Sequence, residues 1–179
     1  MKTQLAATRP LPTPLGMMLA IASPDGLAAL EFVKKDRLTD LERRLGDEPV
    51  RNTTPDPASV EIIDAASSWL DEYFAGRSFA KPRFPLDLVG TSFEREVWDK
   101  LLRIPAGAVR TYSSIATELS RPNGARAVGG AVGRNPLAII VPCHRVVGAS
   151  GSLTGYGGGL GNKRWLLEHE GIKTGSLFV

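Results

Sequence analysis

Ser113-Ser114-Ile115-Ala116-Thr117-Glu118-Leu119-Ser120-Arg121-Pro122-Asn123-Gly124-Ala125-Arg126-Ala127-Val128-Gly129-Gly130-Ala131-Val132-Gly133 is the stretch on which the fold turns. Its spacing predicts a short helix over roughly Ser113–Leu119, a turn at Arg121-Pro122-Asn123-Gly124, and a helix over Ala125–Gly133 capped by Asn123. The second helix is poor in large side chains, and its two central glycines each cost about 1 kcal/mol of helix propensity relative to Ala. Such a helix needs compensation: a second helix packed close against it, or a nucleic acid lying along it. Two short helices about a tight turn, the second with Arg126 near its start, form a helix-turn-helix pattern. Arg126 has an ordinary alternative, as a helix Arg that reaches into water or pairs with an acid.

Downstream, Asn135-Pro136 ends that helix, and Leu137–Val141 reads as a buried strand that delivers Cys143. Cys143 is the only cysteine, and His144, one of two histidines, follows it. An imidazole beside a thiol raises its thiolate fraction and so its reactivity. The alternative is a lone Cys that serves as a small buried hydrophobe. The last helix, Lys163–Glu170, is expected to be capped by Asn162 and stopped by Gly171. Glu170 falls on the side that Leu166 and Leu167 bury, where a carboxylate needs a partner. His144 is the candidate, giving a Glu–His–Cys relay; the alternative is a frayed helix end with Glu170 in water. His169 falls on the Trp165 side. The glycine-dense segment Gly148–Gly161 lacks both phosphate-binding glycine fingerprints, which leaves a loop able to shape itself around a flat ligand, with Tyr156 for stacking.

Upstream, Thr91-Ser92-Phe93-Glu94 is a capping box opening a helix whose apolar face is Phe93, Val97, Trp98, Leu101 and Leu102. Residues 15–22 and 27–33 read as a hairpin about Pro24-Asp25-Gly26, and that reading is preferred to a signal peptide. A short polar helix is expected near Leu38–Leu45 and a loop over 46–56. A longer helix follows, capped by Asp56, with apolar Ile62/Ile63, Ala66, Trp69/Leu70 and Tyr73/Phe74, and Gly76 stops it. Residues 77–89, with Pro82 and Pro85, read as a linker. The expected domains are therefore 1–85, a small α/β scaffold, and 86–179. Residues 1–89 hold 11 Lys+Arg against 13 Asp+Glu, a charge of −2, whereas 90–179 hold 11 against 6, a charge of +5. The half that carries Cys143 is thus the basic one, which suits a polyanion or simply a solvated surface. One Cys excludes a disulfide framework and favours a reducing compartment, the cytoplasm. No apolar run is long enough to span a bilayer.

The chain resembles the O6-alkylguanine-DNA alkyltransferases, in their bacterial constitutive form. The resemblance is carried by Gly90-Thr91-Ser92-Phe93-Glu94-Arg95-Glu96-Val97-Trp98, Ile104-Pro105-Ala106-Gly107, Thr111-Tyr112-Ser113-Ser114-Ile115-Ala116, Ala125-Arg126-Ala127-Val128-Gly129, Asn135-Pro136, Pro142-Cys143-His144-Arg145-Val146 and Gly155-Tyr156-Gly157-Gly158-Gly159-Leu160. It covers essentially all of residues 90–179 and is loose before residue 86. It implies an α+β chain: a ribonuclease-H-like scaffold followed by a winged-helix or helix-turn-helix DNA-binding domain. The implied activity is irreversible transfer of an alkyl group from O6-alkylguanine, and O4-alkylthymine, to Cys143, one turnover per molecule. His144 would act as base through a water, Glu170 would orient it, and Asn135 would support the turn. The implied substrate pocket is Tyr112, Arg126, Val146, Tyr156, Gly157 and Lys163. The implied DNA contacts are Tyr112, Ala125, Arg126, Ala127, Gly129 and Arg134, in the minor groove of duplex DNA with the damaged base flipped out. The resemblance also implies a monomer in solution, with clustering of molecules on DNA an open possibility. No cofactor is expected. No metal is expected either, because the Cys and His residues that hold zinc in some relatives are missing throughout residues 1–142. Gly157, a departure from the family pattern, predicts a roomier pocket that tolerates groups larger than methyl. Two other readings use the same residues: a Cys–His hydrolase working through a thioester, and a helix-turn-helix regulator in which Cys143 is structural or senses alkylation without repair.

Overall fold

The computed structural model describes residues 6–45 and 56–176, and the chain divides into two compact units, Met1–Gly90 and Thr91–Val179. The loop expected over 46–56 lies, apart from Asp56, outside the described residues. Among those described, no helix is long and apolar enough to cross a membrane.

The first unit is an antiparallel sheet in the order β1 (Ala7–Thr13), β2 (Gly16–Ser23), β3 (Gly26–Phe32), with helices α1 (Lys35–Leu45) and α2 (Pro57–Phe74) packed on it. The hairpin β2–β3 forms about Pro24-Asp25 as its sequence predicts. Strand β1 was not expected, because Pro10 and Pro12 interrupt it. The two prolines stand opposite Leu19 and Met17 on the same parity of an edge strand, so the ladder to β2 needs no donor from either. Helix α1 begins earlier than predicted and buries Leu41 and Leu45 against Ile21, Ala28 and Ala29. The α2 stripe behaves as read, with Ile62, Ile63, Ala66, Leu70 and Tyr73 buried and the Asp56 side chain accepting from Ser59 N.

The expected linker over 77–89 is a correction. Leu27 N donates to Pro85 O at 3.0 Å and Asp87 N to Leu27 O at 3.0 Å, so this segment runs parallel against β3 and supplies partners for an otherwise bare edge. The change of unit therefore falls after Gly90, downstream of the expected boundary at residue 85.

The second unit comprises α3 (Ser92–Leu102), a two-residue strand β4 (Arg110–Thr111), α4 (Tyr112–Glu118), α5 (Ala125–Gly133), a 3-10 turn (Cys143–Arg145), β5 (Val146–Val147) and α6 (Leu160–His169). Strand β4 pairs in parallel with β5. Helix α3 opens with the predicted reciprocal capping box between Thr91 and Glu94. Both α3 and α4 pack on α5, which buries Val128, Ala131 and Val132.

Three local expectations are corrected. Asn123 does not cap α5; Gly124 occupies the cap with no side-chain bond, because a Cβ there would lie 2.9 Å from Arg121 O. Helix α6 starts at Leu160 rather than Lys163, since Gly159, at φ 95°, turns the chain into it and leaves Asn162 inside the helix. Leu137–Val141 is a buried turn and not a strand, with Ile139 at φ 72°, a strained value for a β-branched residue.

Gly26 sits at φ 153°, and a Cβ there would meet Pro85 C and O at 2.8 Å and Asp87 N at 2.9 Å. Gly26→Ala is therefore expected to destabilise the chain by about 1–3 kcal/mol through backbone overpacking. Urea denaturation reads this, and an unchanged midpoint would contradict the close approach of residues 85–87.

Candidate functional site

Asn135 explains how a turn can stand where a strand was expected. Its Nδ2 donates to Val141 O at 2.8 Å and to Cys143 Sγ at 3.1 Å, while its Oδ1 accepts from Leu137 N at 3.0 Å. The side-chain amide thus satisfies backbone groups that a strand would have paired in a ladder. A backbone N–H can only donate and a carbonyl can only accept, so these partners fix the amide orientation and aim an N–H at sulfur. That N–H stabilises negative charge on the sulfur. Cys143 itself is 7% exposed at the head of the 3-10 turn.

The 3-10 turn lets residues next to each other in sequence serve different partners. His144 is fully buried, and its Nε2 lies 2.9 Å from Glu170 Oε1. Burial lowers its pKa from the ordinary value, outweighing the opposing pull of Glu170. The neutral ring therefore carries its proton on Nε2, toward the carboxylate, and leaves Nδ1 as a buried lone pair without a hydrogen-bond partner. Arg145 closes the same carboxylate from its other side, Nε donating to Oε2 at 2.7 Å and Nη2 to Oε1 at 2.8 Å. Arg145 Nη1 also donates to Ile104 O, just beyond the end of α3. Burial alone would raise the Glu170 pKa, but the hydrogen bonds and charges of His144 and Arg145 bring it down to about 2. The predicted pairing of Glu170 with His144 is present; His169, expected on the Trp165 side, stacks on that ring with centroids 4.6 Å apart. The Arg145 clamp was missed. The signal for it was available: a neutral His alone cannot balance a buried carboxylate, and Arg145 is its neighbour.

The glycine-dense loop is tied down from two directions. Lys163 is fully buried, and its Nζ donates to Val146 O at 2.5 Å and Thr154 O at 2.7 Å. Desolvation lowers its pKa to about 8. Tyr112, the first residue of α4, donates its hydroxyl to the same Thr154 O at 3.2 Å. Burial raises the Tyr112 pKa, more than its bond to Thr154 lowers it. The loop carries Tyr156 to His144, edge to face with centroids 6.4 Å apart, and half-buried Gly157 follows. Cys143, His144, Glu170, Asn135 and Tyr156 therefore gather in one place, with Val146 and Lys163 buried beside them.

Of the predicted DNA-contacting residues, Ala125, Arg126, Ala127 and Gly129 lie on α5, Arg134 caps its end and Tyr112 opens α4. Arg126 and Ala127 are exposed, and Ala125 and Gly129 are half-buried. The Tyr112 ring passes 3.8 Å from where a Gly129 Cβ would stand. Arg134 differs from Arg126. Its side chain is 48% exposed, its Nε donates to the buried Glu94 carboxylate, and its guanidinium lies over Gly130, 3.3 Å from a Cβ built there. One turn along α3, Trp98 Nε1 donates to Ala131 O of α5 at 2.9 Å. Among the described residues, no group of three or more His, Cys, Asp and Glu is gathered as a metal ion would need.

Comparison with known proteins agrees with this architecture. Residues 9–88 match the family model described as 6-O-methylguanine DNA methyltransferase, ribonuclease-like domain, and residues 92–172 match that of the same family's DNA binding domain. A methylated-DNA–protein-cysteine methyltransferase of Salmonella typhimurium is 42% identical over 165 residues, covering 89% of this chain and 92% of its own length. One from Mycobacterium tuberculosis is 53% identical over 124 residues, covering 69% and 73%. The crystal structure of Mycobacterium tuberculosis OGT in complex with DNA superimposes with a TM-score of 0.75 at 42% identity, over 91% of each chain. The chain belongs to the 6-O-methylguanine DNA methyltransferase family, as a two-unit member with a ribonuclease-like and a DNA-binding part.

The ionisation of the site sets its acid stability. Glu170 is ionised when folded down to about pH 2, whereas its unfolded value is 4.5, so its contribution is present above 4.5 and is lost as pH falls toward 2. His144 adds to the same trend, because below its unfolded value of 6.5 the unfolded chain takes up a proton that the buried ring refuses. Thermal melts from pH 7 to pH 2 should therefore show a progressive loss of stability. Glu170→Gln should be less stable at pH 7 and should show a flatter profile below 4.5. A parallel profile would contradict the ionised cluster.

Proposed function

We propose that this chain repairs alkylated DNA by moving the alkyl group from O6 of guanine, or O4 of thymine, onto Cys143. The observation that carries this reading is the Asn135 N–H on the Cys143 sulfur beside the neutral His144–Glu170 pair, immediately after a helix-turn-helix. The Cys143 thiolate attacks the alkyl carbon, an S–C bond forms as the O6–C bond breaks, the electron pair of the broken bond stays on the oxygen of the leaving base, and that base gains its proton from solvent. The thiol proton leaves toward the bare Nδ1 of His144, through a water that bridges the two. Arg145 keeps Glu170 charged, so the carboxylate can stabilise the imidazolium that results. A thioether has no ordinary route back to thiol, so each molecule acts once. The reaction needs no cofactor.

On DNA, a helix as small-sided as α5 suits the narrow minor groove. Exposed Arg126 would fill the space left by the flipped base, and Tyr112 would stand by the phosphate that rotates. Tyr156 and Gly157 would form the wall of the base pocket, and Val146 and Lys163 would support it from beneath. Ala125, Ala127 and Gly129 would follow the backbone. The reading includes a monomer that works in the cytoplasm.

Incubation with duplex DNA that carries labelled O6-methylguanine tests the reaction. One label per molecule on Cys143 is expected. Repeated turnover would indicate a Cys–His hydrolase, and DNA binding without label would indicate a regulator. Cys143→Ala should abolish transfer and keep DNA affinity. Arg126→Ala should slow repair of duplex DNA while leaving reaction with free O6-benzylguanine within about twofold, as a base-flipping role requires; equal losses on both substrates would remove that role. Benzyl adducts in DNA should also be repaired, and their rejection would contradict a roomy pocket at Gly157.

A further inference from the structure

Helix α5 reaches the nucleophile through its last residues. Arg134 caps it, and Asn135, the next residue, holds the Cys143 sulfur at 3.1 Å. What holds this end of α5 is α3. Glu94 and Trp98 lie one turn apart on α3, and they bind Arg134 and Ala131, one turn apart on α5. Glu94 is buried and does two jobs: Oε2 accepts from Thr91 N at 2.8 Å to close the capping box, and Oε1 accepts from Arg134 Nε. The guanidinium is pressed over Gly130, where a Cβ would stand 3.3 Å from it, so helix and side chain are clasped together.

We infer that Glu94 is a positioning residue for alkyl transfer: through Arg134 it braces the end of α5, and with it the Asn135 N–H that faces Cys143. Arg134 then serves as a half-exposed strut between the two helices rather than as a phosphate contact. The small-sided helix ends on Gly133, which has no side chain to anchor that end. A carboxylate on a neighbouring helix supplies what the sequence of α5 lacks. The inference rests on the proposed role of Cys143, but the brace can be read without that role.

The full chain is compared with Glu94→Gln, Arg134→Gln, the double variant and Thr91→Ala. Glutamine keeps an acceptor for Thr91 N and removes the charge that Arg134 binds. Thr91→Ala weakens the capping box and leaves the Arg134 pair, so it reports the cost of a damaged cap alone. Two reactions are followed: transfer from free O6-benzylguanine, and modification of Cys143 by iodoacetamide across pH, which needs no alkyltransferase activity. Each single variant should slow benzyl transfer about tenfold, the scale of one charge-assisted hydrogen bond, and should move the iodoacetamide pH midpoint upward. The double variant should lose no more than either single one. Thr91→Ala should lower the melting temperature with both reactions unchanged. Duplex affinity of Arg134→Gln should keep the salt dependence of the parent, because no phosphate contact is lost. Unchanged midpoints in the single variants, multiplied losses in the double variant, or a reduced salt slope would each overturn the brace. A parent chain that reacts with iodoacetamide but never with O6-benzylguanine would overturn the proposed function alone.

Discussion

Three N–H groups converge on one buried carboxylate, and the reactive half of the molecule depends on that meeting. Glu170 without partners would be too costly to bury. With His144 on one oxygen and Arg145 across both, it ties the last turn of α6 to the 3-10 turn that carries Cys143. Arg145 then reaches Ile104 O and ties in the segment after α3 as well. Removal of one partner from such a buried pair costs about 3–5 kcal/mol, so these segments keep or lose their places together. The division of labour matters chemically. Arg145 is always charged, so Glu170 stays ionised without calling on His144, and the imidazole keeps a lone pair for a proton yet to come.

The small-sided helix α5 has the two uses its composition allows. Val128, Ala131 and Val132 form the buried face against α3 and α4, which explains how a helix with central glycines persists. The exposed side, with Arg126 and Ala127, is left thin and basic. Packing and recognition are therefore properties of opposite faces of one nine-residue helix.

What could be read in the sequence followed from short-range rules. The capping box at Thr91–Glu94, the stripe of α2, the bounds of α5 and the burial of Glu170 toward His144 all depend on spacing within one element, or on the cost of one unpaired charge. The misses share another cause. Leu137–Val141 looks like a strand because its side chains are apolar and β-branched; it is a turn because one side chain, Asn135, satisfies its backbone. The segment at 85–87 looks like a linker because of its proline, yet it completes β3 from far along the chain. The Arg134 partner lies 40 residues away, and no local pattern announces it; the Arg145 partner, 25 residues away, is announced only by the charge that a buried carboxylate must have balanced.

The prolines of β1 have a consequence beyond the register they permit. Pro10 and Pro12 are both exposed on the edge strand, and where another residue would turn an N–H outward they offer none. A foreign strand that approached this border would find half of the donors it needs missing, so the sheet is closed to growth by its own covalent structure. Along the described part of this border the prolines add to the charge of Arg9, which pairs with Asp64 of α2, in opposing intermolecular pairing.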